Sequence, residues 1–201
     1  MNLSKKIFVG LLLLLGYFGY SQDKKPSRWF STASIDFSVP HQMEYFYGYS
    51  VPENHNGYLG GNTTLKGYGV AFGTLYTINY LLFKRLSIGP ITGFQFQVNP
   101  NYFMCKLGGR LTYFLVDKNN LYTYVQINNN FSLDKTQFST GGHFRLGAGI
   151  PIAKIDNVNM DLEVFFEQNS FRLEGANSLL TDEIPESIAF KSYGISLGIK
   201  F

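Results

Sequence analysis

The sequence predicts an all-β chain: an eight-stranded antiparallel up-and-down transmembrane β-barrel. Three observations carry this expectation. Eight segments alternate apolar and polar residues, the period-two pattern of a strand with two unlike faces. The links between them are mostly short after even-numbered segments and longer after odd-numbered ones. The composition is 17% aromatic with 21 glycines and only 15% charged residues, against about 25% charged in ordinary soluble domains.

The chain opens on a stretch read as a secretory signal peptide, residues 1–21. Lys5 and Lys6 form a basic start, Ile7 to Leu15 an apolar core, and Gly19 and Ser21 a small-residue cleavage site before Gln22. That apolar run falls short of the ~20 residues of a membrane-spanning helix. Residues 22–28 form a short periplasmic stub, and residues 29–201 the barrel. The one cysteine, Cys105, allows no internal disulfide.

The strands follow in order. Trp29–Val39 sets Ile35, Phe37 and Val39 against Ser34, Asp36 and Ser38. Leu65–Tyr80 sets Phe72, Tyr76, Ile78 and Tyr80 against Ala71, Gly73 and Asn79. Leu86–Val98 sets Ile88, Phe94 and Phe96 against Ser87, Gln95 and Gln97, and Tyr102–Leu115 sets Cys105, Leu107 and Leu111 against Lys106, Gly108 and Arg110. Leu121–Phe131 opposes Val125 and Ile127 to Tyr124, Gln126 and Asn128. Thr140–Ile152 opposes Phe144 and Leu146 to His143 and Arg145. Val158–Gln168 opposes Leu162, Val164 and Phe166 to Asp161, Glu163 and Glu167. The eighth strand, Ala189–Phe201, ends with Tyr193, Ile195, Leu197, Ile199 and Phe201 at every second position. Each segment is long enough to cross a bilayer as a tilted strand, which takes ~9–11 residues.

Three links are short turns: Leu81–Arg85, Val116–Asn120 and Ala153–Asn157. Pro40–Thr64 and Asn169–Ile188 are expected to be long loops, Ser132–Ser139 is intermediate, and Asn99–Asn101 is short. A secreted lipocalin-like barrel would also have eight strands, but its solvated exterior would carry charge on most strands. Here the second and third strands have only Lys66 between them.

The closing strand with its terminal Phe201, read together with the strand count, resembles the small eight-stranded outer-membrane β-barrel proteins of OmpA/OmpX-type architecture. The resemblance implies an integral outer-membrane location with both termini periplasmic and longer loops outside. It also implies that Tyr193, Ile195, Leu197, Ile199 and Phe201 are the signal read by the barrel assembly machinery. Outer-membrane lipid, lipopolysaccharide and other outer-membrane proteins become expected partners. Nucleic acid is not expected, since the net charge is only +3 and no basic helix or phosphate loop accompanies it.

The polar faces gather the charges. Asp36, Lys106, Arg110, His143, Arg145, Asp161, Glu163, Glu167 and Lys191, with Lys200, are expected to form a lumen network, because an unpaired buried ion is very costly. Eight strands leave an interior just wide enough for side chains, so a salt-bridge plug is favoured over an ion path. Catalysis is not expected: His143 faces the lumen with no serine placed beside it by spacing, and His41 and His55 lie in a loop. No cofactor is called for, and His41, Glu44, Glu53 and His55 match no metal-ligand spacing. The aromatics Tyr45, Phe46, Tyr47, Tyr49 and Tyr58 mark the first long loop as a candidate interaction surface. The leading function is therefore a non-enzymatic structural or interaction protein, possible as a subunit of a larger outer-membrane complex. A narrow pore or conduit is the alternative, and a lipid-A-modifying enzyme comes third.

Overall fold

The computed structural model describes residues 28–49, 59–67, 69–116, 120–133, 138–155, 158–174 and 183–201. The signal-peptide residues, His55, Glu53 and Tyr58 lie outside them. The described residues form nine antiparallel strands: β1 (Trp29–Tyr49), β2 (Leu59–Lys66), β3 (Val70–Phe83), β4 (Leu86–Val98), β5 (Tyr102–Phe114), β6 (Tyr122–Ser132), β7 (Phe138–Ile155), β8 (Val158–Leu173) and β9 (Glu183–Lys200). Their order is β2-β1-β3-β4-β5-β6-β7-β8-β9, and β9 returns to pair with β1. Closure is complete at the C-terminus, where Ser31 and Phe201 exchange backbone hydrogen bonds of 2.8 and 3.0 Å. β2 and β3 lie on the same edge of β1, opposite its distal and proximal halves. The ring is thus eight strands around, with one of them broken in two.

The break comes at residues 67–69. Gly69 has φ +96°, and a Cβ there would sit 1.8 Å from the Val98 carbonyl oxygen, so only glycine fits. Opposite it, β1 bulges between Pro40 and Gln42 in its pairing with β9, and Gly67 N–H donates to the His41 carbonyl at 3.3 Å. A bulge inserts one residue and moves later side chains to the other face. Before it Asp36 and Ser38 are buried in the lumen; after it Tyr45 is.

Polarity is inverted relative to a soluble protein. The outer wall exposes Ile35, Phe94, Ile127, Leu146, Val164 and Ile195, while Gln97, Lys106, Gln126, Arg145 and Glu167 are buried inside. Closure removes sheet edges and pairs the backbone, the condition for a strand structure in hydrocarbon. With an apolar band of this extent outside, the fold is a transmembrane β-barrel.

Glycine on the inner face makes room for aromatic rings from the neighbouring strand. The Tyr124 ring lies over Gly147, Tyr122 over Gly149 and Phe165 over Gly194; a Cβ at each would come within 2.5, 2.4 and 2.3 Å of the ring. This alternation of absent and large side chains fills a narrow tapering interior.

Two expected loops prove to be largely strand. Within Pro40–Thr64, β1 continues to Tyr49 and β2 begins at Leu59; within Asn169–Ile188, β8 continues to Leu173 and β9 begins at Glu183. Pairing across β2, β1, β9 and β8 continues throughout. A sheet therefore rises beyond the barrel on this side, whereas β4 and β5 stop at the tight turn 99–101. Leu146→Arg places a cation on the lipid-facing wall. Near mid-bilayer it is expected to cost about 2–4 kcal/mol, measured by reversible urea unfolding in lipid vesicles; a neutral outcome would show that this wall is not in hydrocarbon.

Candidate functional site

The lumen is the densest assembly of polar groups, and Glu167 on β8 is its centre. Its Oε2 receives Arg145 from β7 (2.7 and 3.2 Å), Lys106 from β5 (3.3 Å) and His143 Nε2 (3.0 Å). Its Oε1 accepts from Ser38 on β1 (2.9 Å) and Gln95 on β4 (3.5 Å). Register explains the nearest of these contacts, since Arg145 is the direct cross-strand partner of Glu167. His143 is two residues from Arg145 on the same strand β7, and Ser38, Gln95 and Lys106 reach Glu167 from β1, β4 and β5. Arg145 also binds Asp36 at 2.6 Å, so one guanidinium bridges carboxylates from β1 and β8.

A second layer lies toward the termini. Arg110 binds Glu163 at 2.5 Å and stacks over the Tyr124 ring at 3.6 Å. Tyr122 donates to Glu163 at 2.9 Å and to Asp161 at 3.2 Å. Lys200 is 3.9 Å from Asp161, with its ammonium 5.5–5.9 Å from the ring centres of Phe30, Phe114 and Tyr122. Lys106, Arg110, Arg145 and Lys200 face Asp36, Asp161, Glu163 and Glu167, four cations against four carboxylates.

A cluster rich in aromatic rings lies at each end. Toward the termini, Phe114, Tyr122, Tyr124 and Phe165 pack with Phe30 and Leu81. At the distal mouth, Tyr102, Met104, Phe171, Ile188 and Phe190 pack with Met43, Phe138 and Leu173.

Of the expected network, Asp36, Lys106, Arg110, His143, Arg145, Asp161, Glu163 and Glu167 are brought together in the lumen. Lys191 is not. It binds Glu44 at 2.5 Å, half-buried, on the outer-wall side of β9 with Tyr193 and Ile195; strict alternation places it there despite its charge. The interaction-loop set also needs correction. Tyr45, Phe46, Tyr47 and Tyr49 belong to β1, and Tyr45 is fully buried with its hydroxyl on Glu183 at 3.0 Å. Tyr47 covers Gly61 and meets Tyr49 at 5.4 Å between ring centres. His41 stacks on Tyr193 outside, 4.5 Å between centres.

Alternation on the first strand put Ser38 in the lumen, but the direct link to Glu167 crosses the barrel and could not be read along the chain. Ser38 and His143 share the Glu167 carboxylate and do not bond one another. Asn128 Nδ2 meets His143 Nδ1 at 3.1 Å, so both ring nitrogens are engaged and no serine–histidine pair forms there. Among the described residues, no group of three His, Cys, Asp or Glu is placed to hold a metal ion.

No protein-family profile matches the chain, and no curated protein matches it. Among solved structures it is similar in architecture to membrane barrels. A de novo designed transmembrane β-barrel aligns at 14% identity and TM-score 0.40, covering 90% of this chain and 98% of that one. The outer membrane protein AlkL in lipid bilayers aligns at 11% and 0.48, covering 90% and 93%. OprG from Pseudomonas aeruginosa aligns at 13% and 0.43, covering 87% and 96%. The barrel assignment rests on the chain's own closed hydrogen-bond ring and inverted polarity.

Glu167→Gln strips the shared counter-charge from Lys106 and Arg145. Breaking a buried ion cluster from one side costs about 3–5 kcal/mol. The same unfolding assay should show a loss of that size, and a loss below ~1 kcal/mol would mean that the cluster is solvated.

Proposed function

We propose that the chain is an integral outer-membrane barrel with periplasmic termini, working as a non-enzymatic structural or interaction protein. The observation that carries this reading is the filled lumen: an ion cluster across the middle and an aromatic layer at each end. A lumen so filled favours the outer surfaces as the working part of the barrel. The sheet that rises beyond the barrel is the extracellular part in this reading, and it presents Tyr49, Ile184 and the free edge of β2. Rigid scaffolds concentrate binding residues on such projections. Biogenesis through the barrel assembly machinery, reading Tyr193 to Phe201, belongs to the same proposal.

A narrow conduit is the second reading, favoured by one observation. Gln97, Gln126, Asn128, Asn130 and Asn169 each keep a buried polar atom without a protein partner, and such atoms could be served by a file of water.

Two measurements test these readings. Pure protein in planar bilayers is expected to show no steady current; stable channels would favour the conduit. The double variant Tyr49→Ser with Ile184→Ser changes exposed side chains only. It should keep the heat-modifiable gel mobility of a folded barrel and lose the proteins that co-purify with wild type in mild detergent. Unchanged co-purification would move the interaction surface elsewhere.

A further inference from the structure

The outer wall carries a depression of mixed polarity where the apolar belt gives out. Along β6 to β9 and on to β1, the paired row Val125–Leu146–Phe166–Tyr193–Val39 is apolar throughout. Further toward the distal end the corresponding row is Asn129–Gly142–Ser170–Ala189–Glu44. A cavity of about 560 Å³ opens here, lined by Asn129, Thr140, Gly142, Ser170, Arg172 and Ser187 among others. Its cause is local backbone: β7 bulges between Phe138 and Gly141 in its pairing with β8, and Gly142 leaves open space, with nothing within 4 Å of where its Cβ would be.

Phe131 and Phe171 line the depression beside an amide, three hydroxyls and a guanidinium, which suits an amphiphile whose polar part carries hydroxyls and negative charge. Among the described residues, Arg172 is the one charged residue lining it, and the nearby Glu44 carboxylate is already bound by Lys191 at 2.5 Å. Directly along the same strands, Ile127, Phe144 and Leu146 form a continuous exposed apolar surface. A ligand seated here would therefore hold a polar anionic head above apolar chains.

We propose that this depression seats one outer-leaflet glycolipid, its phosphorylated saccharide between Arg172 and the Asn129, Thr140, Ser170 and Ser187 side chains and its acyl chains against Ile127 and Phe144. A phosphate accepts charge-assisted hydrogen bonds from guanidinium, and sugar hydroxyls pair with amide and hydroxyl groups. The inference rests on the outer-membrane reading and gives the barrel a specific lipid contact on its wall.

Gly142 supplies a clean test, because a side chain there enters the cavity and not the fold. The full chain is reconstituted in phosphatidylglycerol nanodiscs containing a few mole per cent of lipid A. The lipid retained after transfer to detergent is then identified by native mass spectrometry. Wild type should retain one lipid A, and both Gly142→Trp and Arg172→Ala should lose it while keeping heat-modifiable mobility. Equal retention by wild type and a folded Arg172→Ala variant overturns the site, whatever becomes of Gly142→Trp. Retention of phosphatidylglycerol as readily as lipid A overturns the glycolipid assignment. A wild-type protein that inserts but retains no lipid A sinks this inference alone, whereas one that stays soluble without detergent sinks the membrane reading beneath it.

Discussion

One carboxylate, Glu167, ties together five strands. Its contacts with Ser38, Gln95, Lys106, His143 and Arg145 tie β8 to its neighbour β7, to β1 beyond β9, and to β4 and β5 on the far side of the lumen. Buried ions demand partners on every side, and an eight-stranded interior is narrow enough that opposite walls can supply them. The requirement works in both directions. The ions need the barrel closed, and once satisfied they oppose any widening that would separate Arg145 from Asp36 and Glu167.

Above and below this cluster the lumen turns aromatic, and the two layers do different work. Toward the termini the rings serve the ions: Tyr124 lies against Arg110, Phe165 against Arg145, and Lys200 faces three rings. Cation–π contacts of this sort are strongest where water is excluded. At the distal mouth Tyr102, Met104, Phe171, Ile188 and Phe190 pack on one another, while the buried Glu183 on the same strand as Ile188 is held by the Tyr45 hydroxyl. The five make an apolar core set inside a membrane protein's lumen. It packs where β1, β8 and β9 leave the belt, which lets the projecting sheet remain attached to a filled base.

Much of this was legible in the sequence because the bilayer imposes one rule along each strand. Wherever lipid lay on one side and the lumen on the other, alternation gave bounds close to those observed: Leu86–Val98 matches β4 at both ends, and Tyr102–Leu115 overshoots β5 by one residue. The rule lapses beyond the belt. From Gln42 to Tyr49 and from Glu183 to Ile188 the strands run beyond the barrel, the period-two signal fades, and paired strand reads as loop. The bulge at His41 compounds this by exchanging faces, which hid the inward course of Tyr45. Lys191 shows the opposite failure, in which its charge was allowed to outweigh its parity with Tyr193. The ion cluster was legible as a set of residues, but its hub was not, because Ser38, Gln95 and Lys106 meet Glu167 across the lumen and not along the sheet.

The free edge of β2 poses a separate physical question. Among the described residues, Leu59–Lys66 pair with β1 on one side only, and open edges recruit other strands unless something blunts them. Here the edge is eight residues long and reads Leu-Gly-Gly-Asn-Thr-Thr-Leu-Lys, with two glycines, little apolar surface and a terminal lysine. Gly61 also brings the strand so close to Tyr47 that its ring lies against the backbone, fixing β2 to β1 by packing as well as by hydrogen bonds. The break at Gly69 separates this strand from the spanning segment β3, so the two pair with different halves of β1. In the reading proposed above, the glycine that interrupts the strand sets the projecting sheet, which meets a partner, apart from the membrane-spanning wall.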